Sequence, residues 1–460
     1  MASLKNMATA TAVKTARDHC LAPSRTVDAP LEGASGRYER LFPDLEPLVG
    51  DEASLLRFAV PGGVCDGGTS CEDARDTAAG WPFFGQFIAH DITADRSELA
   101  HHADGSHLLN FRTPRANLEC LYGAGPVGNP FLYRRDDPAK LLLGRNDAGE
   151  EADLARNPEG IALVGDPRND SHLFMAQLHV AMLRMHNDLV DRLRTEGVAA
   201  HDVFERARRQ ASWHYQWVVI HDYLPRLVGG ALVDELLAEG PRFYRVDGSP
   251  RIPLEFADGA FRYGHSQIRN DYVLNERAAE YRLFPDLLGF SPVPAERTVD
   301  WTLFFDLPGH PPAQRAKRID GRLARSLIEL PTALTGASEE EAYQSLAGRD
   351  LQRGHAYGLP SGEAVARAMG EEPLSRAEVG LAEFGWEAES PLWFYVLRES
   401  EASGDGEGLG PVGGRIVAEV LLGIIDGDPE SYRAVEPAWK PTLPSRGDRF
   451  GLTDVLVPVD

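Results

Sequence analysis

The stretch from His172 to Leu193 repeats apolar residues at spacings of three and four, which is the period of an α-helix. Its apolar positions are Leu173, Phe174, Leu178, Ala181, Met182, Met185, Leu189 and Leu193. Helical patterns also cover residues 81–92, 202–229, 260–273, 358–370, 391–402 and 414–426. In residues 358–370, Ser361 follows a turn and is expected to cap the helix. Strand patterns are few and short, so the sequence predicts a mainly α fold.

The length of the chain and the positions of its Pro and Gly residues indicate how it is organised. At roughly 150 residues per domain, 460 residues allow about three domains, and they also allow one large domain. Residues 1–35 are rich in Ala and Thr, and we expect them to be a loosely held N-terminal lead segment. Residues 96–170 are interrupted by Pro and Gly and are expected to be rich in loops. We therefore expect a single large all-helical domain with long loops over residues 36–460.

The charge balance excludes several classes of partner. Lys and Arg number 47 and Asp and Glu number 70, so the formal net charge is −23. Binding to nucleic acids or to anionic membranes needs a basic surface, which this composition does not favour. No apolar run approaches the roughly 18 residues of a membrane-spanning helix. The first residues contain no apolar segment of the kind found in secretory signals, so we expect a cytoplasmic protein, with secretion by another route left open.

The four cysteines give little structural information. Cys20, Cys65, Cys71 and Cys120 are too few for a disulfide scaffold, and none forms the C-x-x-C pair of a zinc ribbon. Cys65 and Cys71 are close enough along the chain to pair, although free thiols are expected inside a cell. Both states stay open at this point.

Three polar positions are candidates for chemistry. Gln86 and His90 are four residues apart in GQFIAHD, so on a helix they share one face, while Asp91 points about 100° away. Arg168 stands in GDPRNDSH just before the long helix, and His265 stands in FRYGHS beside aromatic residues. Each residue alone is also typical of a structural role, such as a packed histidine or an arginine in an ion pair. Their significance depends on whether they occur together.

The order of the motifs resembles the animal-type haem peroxidase superfamily, also called the peroxidase–cyclooxygenase superfamily, and is most similar to its bacterial members. The motifs are GQFIAHD (85–91), GDPRND (165–170), LHVAMLRMHN (178–187), FRYGHS (261–266) and QRGHAYGLPS (352–361). The resemblance covers roughly residues 36–435 and implies a mainly α haem peroxidase domain.

The resemblance implies a role for each candidate. His265 is expected to be the proximal ligand of the haem iron, with the opposite face of the iron left open. His90 corresponds to the distal histidine, which moves a proton between the two oxygens of hydrogen peroxide. Arg168 corresponds to the distal arginine, whose cation stabilises the leaving oxygen. Gln86 corresponds to the distal glutamine, which shapes the hydrogen bonds of the pocket.

Two further sites follow from the resemblance. Members of the family hold the proximal histidine with a side chain on the helix after GLP, and counting along GLPSGE places Glu363 there. An acidic residue in a first helical turn is also favourable by itself, so both interpretations of Glu363 stay open.

The second site is a calcium loop, which the family forms between the Asp after the distal histidine and a TxxxDxSxxYG segment. The corresponding oxygens here belong to Asp91, Thr113, the carbonyl of Arg115, Asn117 and Glu119. Asn and Glu replace the Asp and Ser of the family pattern but still offer oxygen to a hard cation. A polar loop without metal is the alternative.

The chain departs from the family where mammalian members form ester links to the haem. The two ester-forming acids are replaced by Ala89 and Ser171, so we expect haem b held without covalent bonds, which weakens the expectation of halide oxidation. The next residue, His172, receives no role from the sequence. The YHWH-type stretch of cyclooxygenases is absent, and Tyr263 and Tyr272 are expected to pack.

The resulting prediction is a peroxidase that reduces hydrogen peroxide through a ferryl haem and oxidises a small organic substrate. A haem-dependent dioxygenase or oxygenase acting on a lipid or a secondary metabolite is the alternative enzyme. A haem-binding protein without turnover is the third possibility, against which the presence of both His90 and Arg168 argues. The organic substrate and the oligomeric state are left open by the sequence.

Overall fold

The computed structural model describes residues 36–69, 72–94, 108–277, 279–335 and 341–459. The expected lead segment at residues 1–35 lies outside the described residues. Cys71, the possible partner of Cys65, also lies outside them. Within them, helices dominate and the strands form three small two-stranded antiparallel sheets. The predicted mainly α fold class is therefore confirmed. None of the described helices is long and apolar enough to cross a membrane.

The described part of the chain contains eight α-helices of eight or more residues. They are α1 (Trp81–Ile92), α2 (Leu173–Thr195), α3 (Val203–Val218), α4 (Gly230–Glu239), α5 (Leu346–Ala356), α6 (Gly362–Met369), α7 (Leu392–Gly404) and α8 (Pro411–Asp426). The strands are β1 (Asp73–Ala78), β2 (Leu143–Gly144), β3 (Asp153–Leu154), β4 (Asp271–Val273), β5 (Glu280–Arg282) and β6 (Arg315–Lys317). They pair as β1 with β6, β2 with β3 and β4 with β5.

Shorter helical segments connect these elements. The α-helical ones are Glu52–Leu56, Glu119–Tyr122, Gly125–Gly128, Leu224–Val228, Leu254–Ala257, Arg325–Ile328, Thr332–Thr335, Arg376–Val379, Tyr432–Val435 and Leu452–Leu456. The 3₁₀ segments are Pro130–Leu132, Pro167–Asp170, Ala260–Gln267, Ala295–Arg297, Trp301–Leu303, Glu341–Gln344 and Ala382–Phe384.

Two predicted helices differ from the structure. The helix predicted over residues 202–229 forms without a break from Val203 to Val228, but it changes to a π-helical turn at Val219–Tyr223. Pro225 lacks the N–H that would continue the α-helical pattern there, which accounts for the irregular turn. Residues 260–273 form a 3₁₀ segment and then β4, because the backbone of β4 pairs with β5 rather than with its own preceding turn.

Helix α1 lies in the centre of the core. Phe83, Phe84, Phe87 and Ile88 are fully buried, as expected for a helix that is apolar on most of its surface. The ring of Phe83 stacks on Phe174 of α2, with ring centroids 4.2 Å apart. The polar residues of α1 are thereby held at a fixed depth inside the molecule.

Gly85 allows a close approach on the other side of α1. A Cβ atom at this position would lie 2.5 Å from the hydroxyl oxygen of Tyr223 and 3.7 Å from that of Tyr263. The two hydroxyls are hydrogen-bonded to each other at 2.7 Å. The absence of a side chain at Gly85 therefore lets the tyrosine pair pack directly on α1.

Candidate active site

One cavity brings the predicted haem-site residues together. It lies between α1 and the 3₁₀ segments Pro167–Asp170 and Ala260–Gln267, and its volume is about 160 Å³. Its polar lining includes Gln86, His90, Arg168 and His265. The apolar lining consists of Pro82, Phe83, Phe256, Phe261, Ile268, Leu283, Phe284, Leu327, Leu330, Leu334 and Leu346, together with Ala89 and Ala257.

His90 is held by an amide on its buried side. Its Nδ1 lies 2.7 Å from Oδ1 of Asn169, and because an amide oxygen only accepts, this nitrogen carries the proton. The amide nitrogen of Asn169 lies 3.0 Å from Nδ1 of His179. Burial lowers the pKa of His179 to about 4, so this imidazole is neutral and can accept. Sequence reasoning missed Asn169 and His179, although both stand in motifs that the resemblance used.

Arg168 is fixed to the end of α1. Its Nη2 donates to the carbonyl of His90 at 2.9 Å and to Oδ2 of Asp166 at 2.8 Å, and its Nε donates to Oδ1 of Asp166 at 3.0 Å. Although burial alone would raise the pKa of Asp166, the guanidinium groups of Arg168 and Arg112 hold that pKa well below its usual range. The cation therefore has a permanent anionic partner and a fixed position beside His90.

His172, which had no role from the sequence, contacts Gln86. Nε2 of His172 donates to Oε1 of Gln86 at 2.9 Å, and both residues line the cavity. The oxygen of the Gln86 amide is thereby engaged, so its N–H groups are the ones that can act on a ligand. His172 thus orients the amide of Gln86.

His265 is held by a buried carboxylate. Its Nδ1 donates to Oδ2 of Asp350 at 2.6 Å, and Arg262 donates to Oδ1 of Asp350 at 2.9 Å. Asp350 is fully buried on α5, whereas the side chain of His265 is 26% exposed. Since Nδ1 donates to the carboxylate, Nε2 is the ring nitrogen left to bind a metal.

The prediction for Glu363 was wrong. Its carboxylate accepts hydrogen bonds from the hydroxyl of Ser390 at 2.6 Å and from the backbone N–H of Ser390 at 2.8 Å. Burial raises the pKa of Glu363 above its usual value. Glu363 therefore links α6 to the start of α7, and Asp350 takes the place expected for it beside His265. The sequence signal that points to Asp350 is an acidic residue in the first part of α5, where residues 346–353 are all buried.

The predicted calcium loop assembles, but its oxygens are engaged. The carboxylate of Asp91 accepts from the backbone N–H groups of Leu118 at 3.0 Å and Cys120 at 3.2 Å. Burial raises the pKa of Asp91 to about 6. Oδ1 of Asn117 accepts from the N–H of Glu119 at 3.3 Å.

An arginine supplies the positive charge in this loop. The carboxylate of Glu119 accepts from Arg112 at 3.3 Å and from the N–H of Thr113 at 2.9 Å, and the carbonyl of Arg115 faces the side-chain amide of Gln216. Arg112 also forms a salt bridge of 2.6 Å with Asp166. This arrangement does not fit a calcium ion.

The chemistry of the residues that line the cavity fits a haem. The lining combines an imidazole backed by a carboxylate with a separate cluster of imidazole, amide and guanidinium groups, and most of the other lining residues are apolar. Ala89 and Ser171 both line the cavity at the positions of the ester-forming acids. The buried hydroxyl of Ser171 has no hydrogen-bond partner among the described residues. Neither position offers a carboxylate.

The two tyrosines near His265 are packed. Tyr263 is buried and shares its hydroxyl hydrogen bond with Tyr223. Tyr272 packs its ring against Phe174, with centroids 5.0 Å apart, and its hydroxyl accepts from the N–H of Arg269. Both agree with the packing roles expected from the sequence.

Comparisons with known proteins place the chain in a family. The dual oxidase of Drosophila melanogaster is 32% identical over 114 residues, which are 24% of this chain and only 7% of that protein. Peroxidase A of Dictyostelium discoideum superposes with a TM-score of 0.67 at 15% identity, covering 92% of each chain. A fatty acid alpha-dioxygenase variant of Oryza sativa, solved with palmitic acid, superposes with a TM-score of 0.60 at 14% identity, covering 84% of this chain and 75% of that one. These structural likenesses show the fold.

The family model described as animal haem peroxidase matches residues 127–379. This range contains Arg168, His265 and Asp350, whereas α1 with Gln86 and His90 lies before it and is connected to them by the geometry of the cavity. Because the match extends over more than half of the 460 residues, the chain belongs to the animal haem peroxidase family.

Proposed function

We propose that this protein is a haem-dependent peroxidase that reduces hydrogen peroxide and oxidises a small organic substrate. The observation that carries the proposal is the placement of two imidazoles on one cavity, each held from behind by a different partner. His265 is held by the carboxylate of Asp350, and His90 is held by the amide of Asn169. The first arrangement suits a metal ligand and the second suits a proton acceptor.

The proximal side of the cavity would hold haem b through Nε2 of His265. When bound, the haem would supply the redox chemistry that the side chains lack. The negative charge of Asp350 increases electron donation from the imidazole, and Arg262 fixes the orientation of that carboxylate. The apolar lining excludes water and packs against the faces of a flat macrocycle.

The distal side would handle the protons of hydrogen peroxide. Nε2 of His90 takes a proton from the oxygen nearer to it and returns that proton to the departing oxygen, so the imidazole ends as it began. The cation of Arg168 stabilises negative charge on the departing oxygen, and the N–H groups of Gln86 offer further hydrogen bonds. His172 keeps the amide of Gln86 in the donating orientation.

The proposal includes haem without covalent links and no calcium ion. Ala89 and Ser171 offer no carboxylate for an ester bond, and the acidic groups of the loop around Glu119 are engaged by N–H donors and Arg112. Strong halide oxidation is not part of the proposal.

A second candidate is a haem-dependent dioxygenase for an apolar substrate such as a fatty acid. It is favoured by the apolar lining from Leu327, Leu330 and Leu334, and by the likeness to a fatty acid alpha-dioxygenase. A tyrosine that reacts with such a substrate would need a hydroxyl open to the cavity. The hydroxyl of Tyr263, which lines the cavity, is instead hydrogen-bonded to Tyr223. The polar cluster around His90 is more useful for peroxide than for a hydrocarbon chain.

The test starts with protein loaded with hemin and mixed rapidly with hydrogen peroxide. We expect a fast change in the haem absorbance that a phenolic reductant reverses. His90→Gln should slow this change by about 10²-fold or more while haem stays bound. His265→Ala should instead weaken haem binding. If the wild type only bleaches with peroxide but consumes dioxygen with a fatty acid, the second candidate replaces the first.

A further inference from the structure

We propose that Asn169 is a positioning residue for His90 and that His179 sets the orientation of the Asn169 amide. Together they would keep the proton of His90 on Nδ1 and the lone pair on Nε2. This inference rests on the proposed function, because it explains how His90 is kept ready to accept a proton.

The three side chains form a buried row. The contacts of 2.7 Å between His90 and Asn169 and of 3.0 Å between Asn169 and His179 are both within hydrogen-bond distance. Asn169 is fully buried and His179 is 1% exposed. The three residues come from α1, from the 3₁₀ segment Pro167–Asp170 and from α2. The row therefore connects the distal helix to two other elements.

The backbone leaves the Asn169 amide little freedom. Asp166 caps the 3₁₀ segment through the N–H of Arg168, and the N–H of Asn169 donates to the carbonyl of Asp166 at 3.0 Å. The side chain of Asn169 is then placed between two imidazoles, and the only remaining choice is which of its ends faces each of them.

The observed contact fixes that choice, because the amide nitrogen of Asn169 lies 3.0 Å from Nδ1 of His179. The pKa of His179 is lowered to about 4 by burial, although the negative charge of Asp166 acts in the opposite direction. A neutral His179 with a lone pair on Nδ1 accepts from the amide N–H, so the amide oxygen faces His90. The oxygen can only accept, so Nδ1 of His90 must donate. A neutral imidazole has a single N–H, and Nε2 therefore keeps its lone pair.

The charged groups around this row are Asp166 and Arg168. Asp166 lies behind Arg168 and interacts electrostatically with both His90 and His179. The carboxylate of Asp166 accepts hydrogen bonds from Arg168 and Arg112. It therefore does not replace the amide of Asn169 as the partner of His90. The amide itself is neutral, which avoids stabilising the imidazolium form that could not accept a proton.

The test uses three variants and a matched control. Asn169→Leu removes the amide, Asn169→Asp keeps an acceptor of the same size but adds charge, and His179→Phe removes the residue behind the amide. The control is His186→Phe. His186 is also fully buried on α2 with a pKa lowered to about 4, but it contacts Tyr122 and Ala139.

The first readout is the rate of the haem absorbance change with hydrogen peroxide as a function of pH. Asn169→Leu and His179→Phe should lower this rate about 10-fold or more at neutral pH, as is usual when the partner of a functional histidine is lost. Asn169→Asp should stabilise protonated His90, so the acid limb of the pH profile should move upward by about one pH unit or more. His186→Phe should leave both unchanged.

The second readout needs neither haem nor peroxide. Nitrogen NMR of haem-free protein with labelled histidine reports which ring nitrogen carries the proton, and a His90→Gln spectrum identifies the signals of His90. We expect the Nδ1–H form of His90 in the wild type and in His186→Phe, and a mixture of forms in Asn169→Leu and His179→Phe.

The outcomes separate this inference from the proposed function. A wild type that does not react with peroxide overturns the proposed function, while the NMR readout still tests the hydrogen-bonded row. A reacting wild type whose Asn169 variants keep its rate, its pH profile and its proton position overturns the inference. Equal losses in His179→Phe and His186→Phe also overturn it, since they indicate a merely structural effect. If Asn169→Leu does not fold, Asn169→Asp decides the pH profile alone.

Discussion

The imidazole of His265 donates to the carboxylate of Asp350 across 2.6 Å, and that carboxylate is fully buried. The pair joins the 3₁₀ segment Ala260–Gln267 to α5 and gives the proposed haem ligand an anionic partner. Arg262 contacts the second oxygen of the same carboxylate. The proximal side is therefore a network of three side chains and not a single histidine.

Replacing Asp350 with Asn should change the properties of the bound haem. The variant keeps the size of the side chain but removes its charge, so the imidazole donates less electron density to the iron. We expect a more positive reduction potential and haem affinity lowered about 10-fold. Spectroelectrochemistry and hemin titration measure the two effects. Glu363→Gln is the control and should change neither, and the reverse pattern would restore the original assignment of Glu363.

Haem extraction tests the absence of ester bonds. Acidified organic solvent should remove all haem from the wild type, even after incubation with peroxide, because Ala89 and Ser171 have no carboxylate. Ser171→Glu should retain part of its haem on the polypeptide after peroxide treatment, whereas Ser171→Gln should release it. Haem that stays with the wild-type polypeptide in a denaturing gel would contradict the non-covalent assignment.

The dependence of stability on pH should contain a contribution from Glu399. Its carboxylate accepts from the N–H groups of Val412 and Gly413 at the start of α8, and burial raises its pKa to about 7. The folded state therefore binds this proton more tightly than the unfolded state, whose pKa is near 4.5. This contribution favours folding at low pH and is lost as the pH rises from about 4.5 through about 7.

Thermal unfolding measured across this pH range checks the effect. Glu399→Gln cannot titrate, so its melting temperature should fall less steeply between about pH 5 and 8 than that of the wild type. Glu401→Gln serves as control, since Glu401 lies on the same helix, is about one-third exposed and pairs with Arg398. Parallel curves for the wild type and Glu399→Gln would contradict the assignment.

Calcium should have no effect on the stability of this protein. Arg112 provides the positive charge in the loop, with salt bridges to Asp166 at 2.6 Å and Glu119 at 3.3 Å. Added calcium or a chelator should leave the melting temperature unchanged. Arg112→Met should lower the free energy of unfolding by about 1–3 kcal/mol, because buried Asp166 loses one of its two guanidinium partners and Glu119 loses its cation.

A surface arginine gives the comparison for this variant. Arg134 pairs with Asp136 on an exposed site, and Arg134→Met should lower the free energy of unfolding far less than Arg112→Met does. Denaturant titration measures both changes. A melting temperature of the wild type that rises with calcium would show that the loop binds the ion after all.

The features predicted correctly from the sequence are those that local periodicity and the order of the motifs determine. The apolar spacing from Leu173 onward predicted α2, and the Ser361 side chain accepts from the N–H of Ala364 as an N-cap should. The residues of the cavity lining were found because motif order reports positions in a shared fold. These features depend on neighbours along the chain or on a whole-chain pattern.

The rest depends on contacts between distant segments. Asp350 and Glu363 are both buried acidic residues near the same motif, and only the packing of α5 against the segment of His265 shows which of them reaches the ring. The Asn169 and His179 contacts are of the same kind. The sequence predicts a helix at the residues of β4 because the pairing of β4 with β5 depends on a strand that lies outside the local pattern.

The contact of Gly85 with Tyr223 has a consequence for the dimensions of the cavity. Gly85 lies one residue before Gln86 on the distal helix, and Tyr223 is hydrogen-bonded to Tyr263, two residues before His265. Two phenol groups thus act as a spacer between the walls that carry the two imidazoles. A methyl group added at position 85 would push these walls apart. The width available to a flat cofactor therefore depends on the absence of a side chain at Gly85.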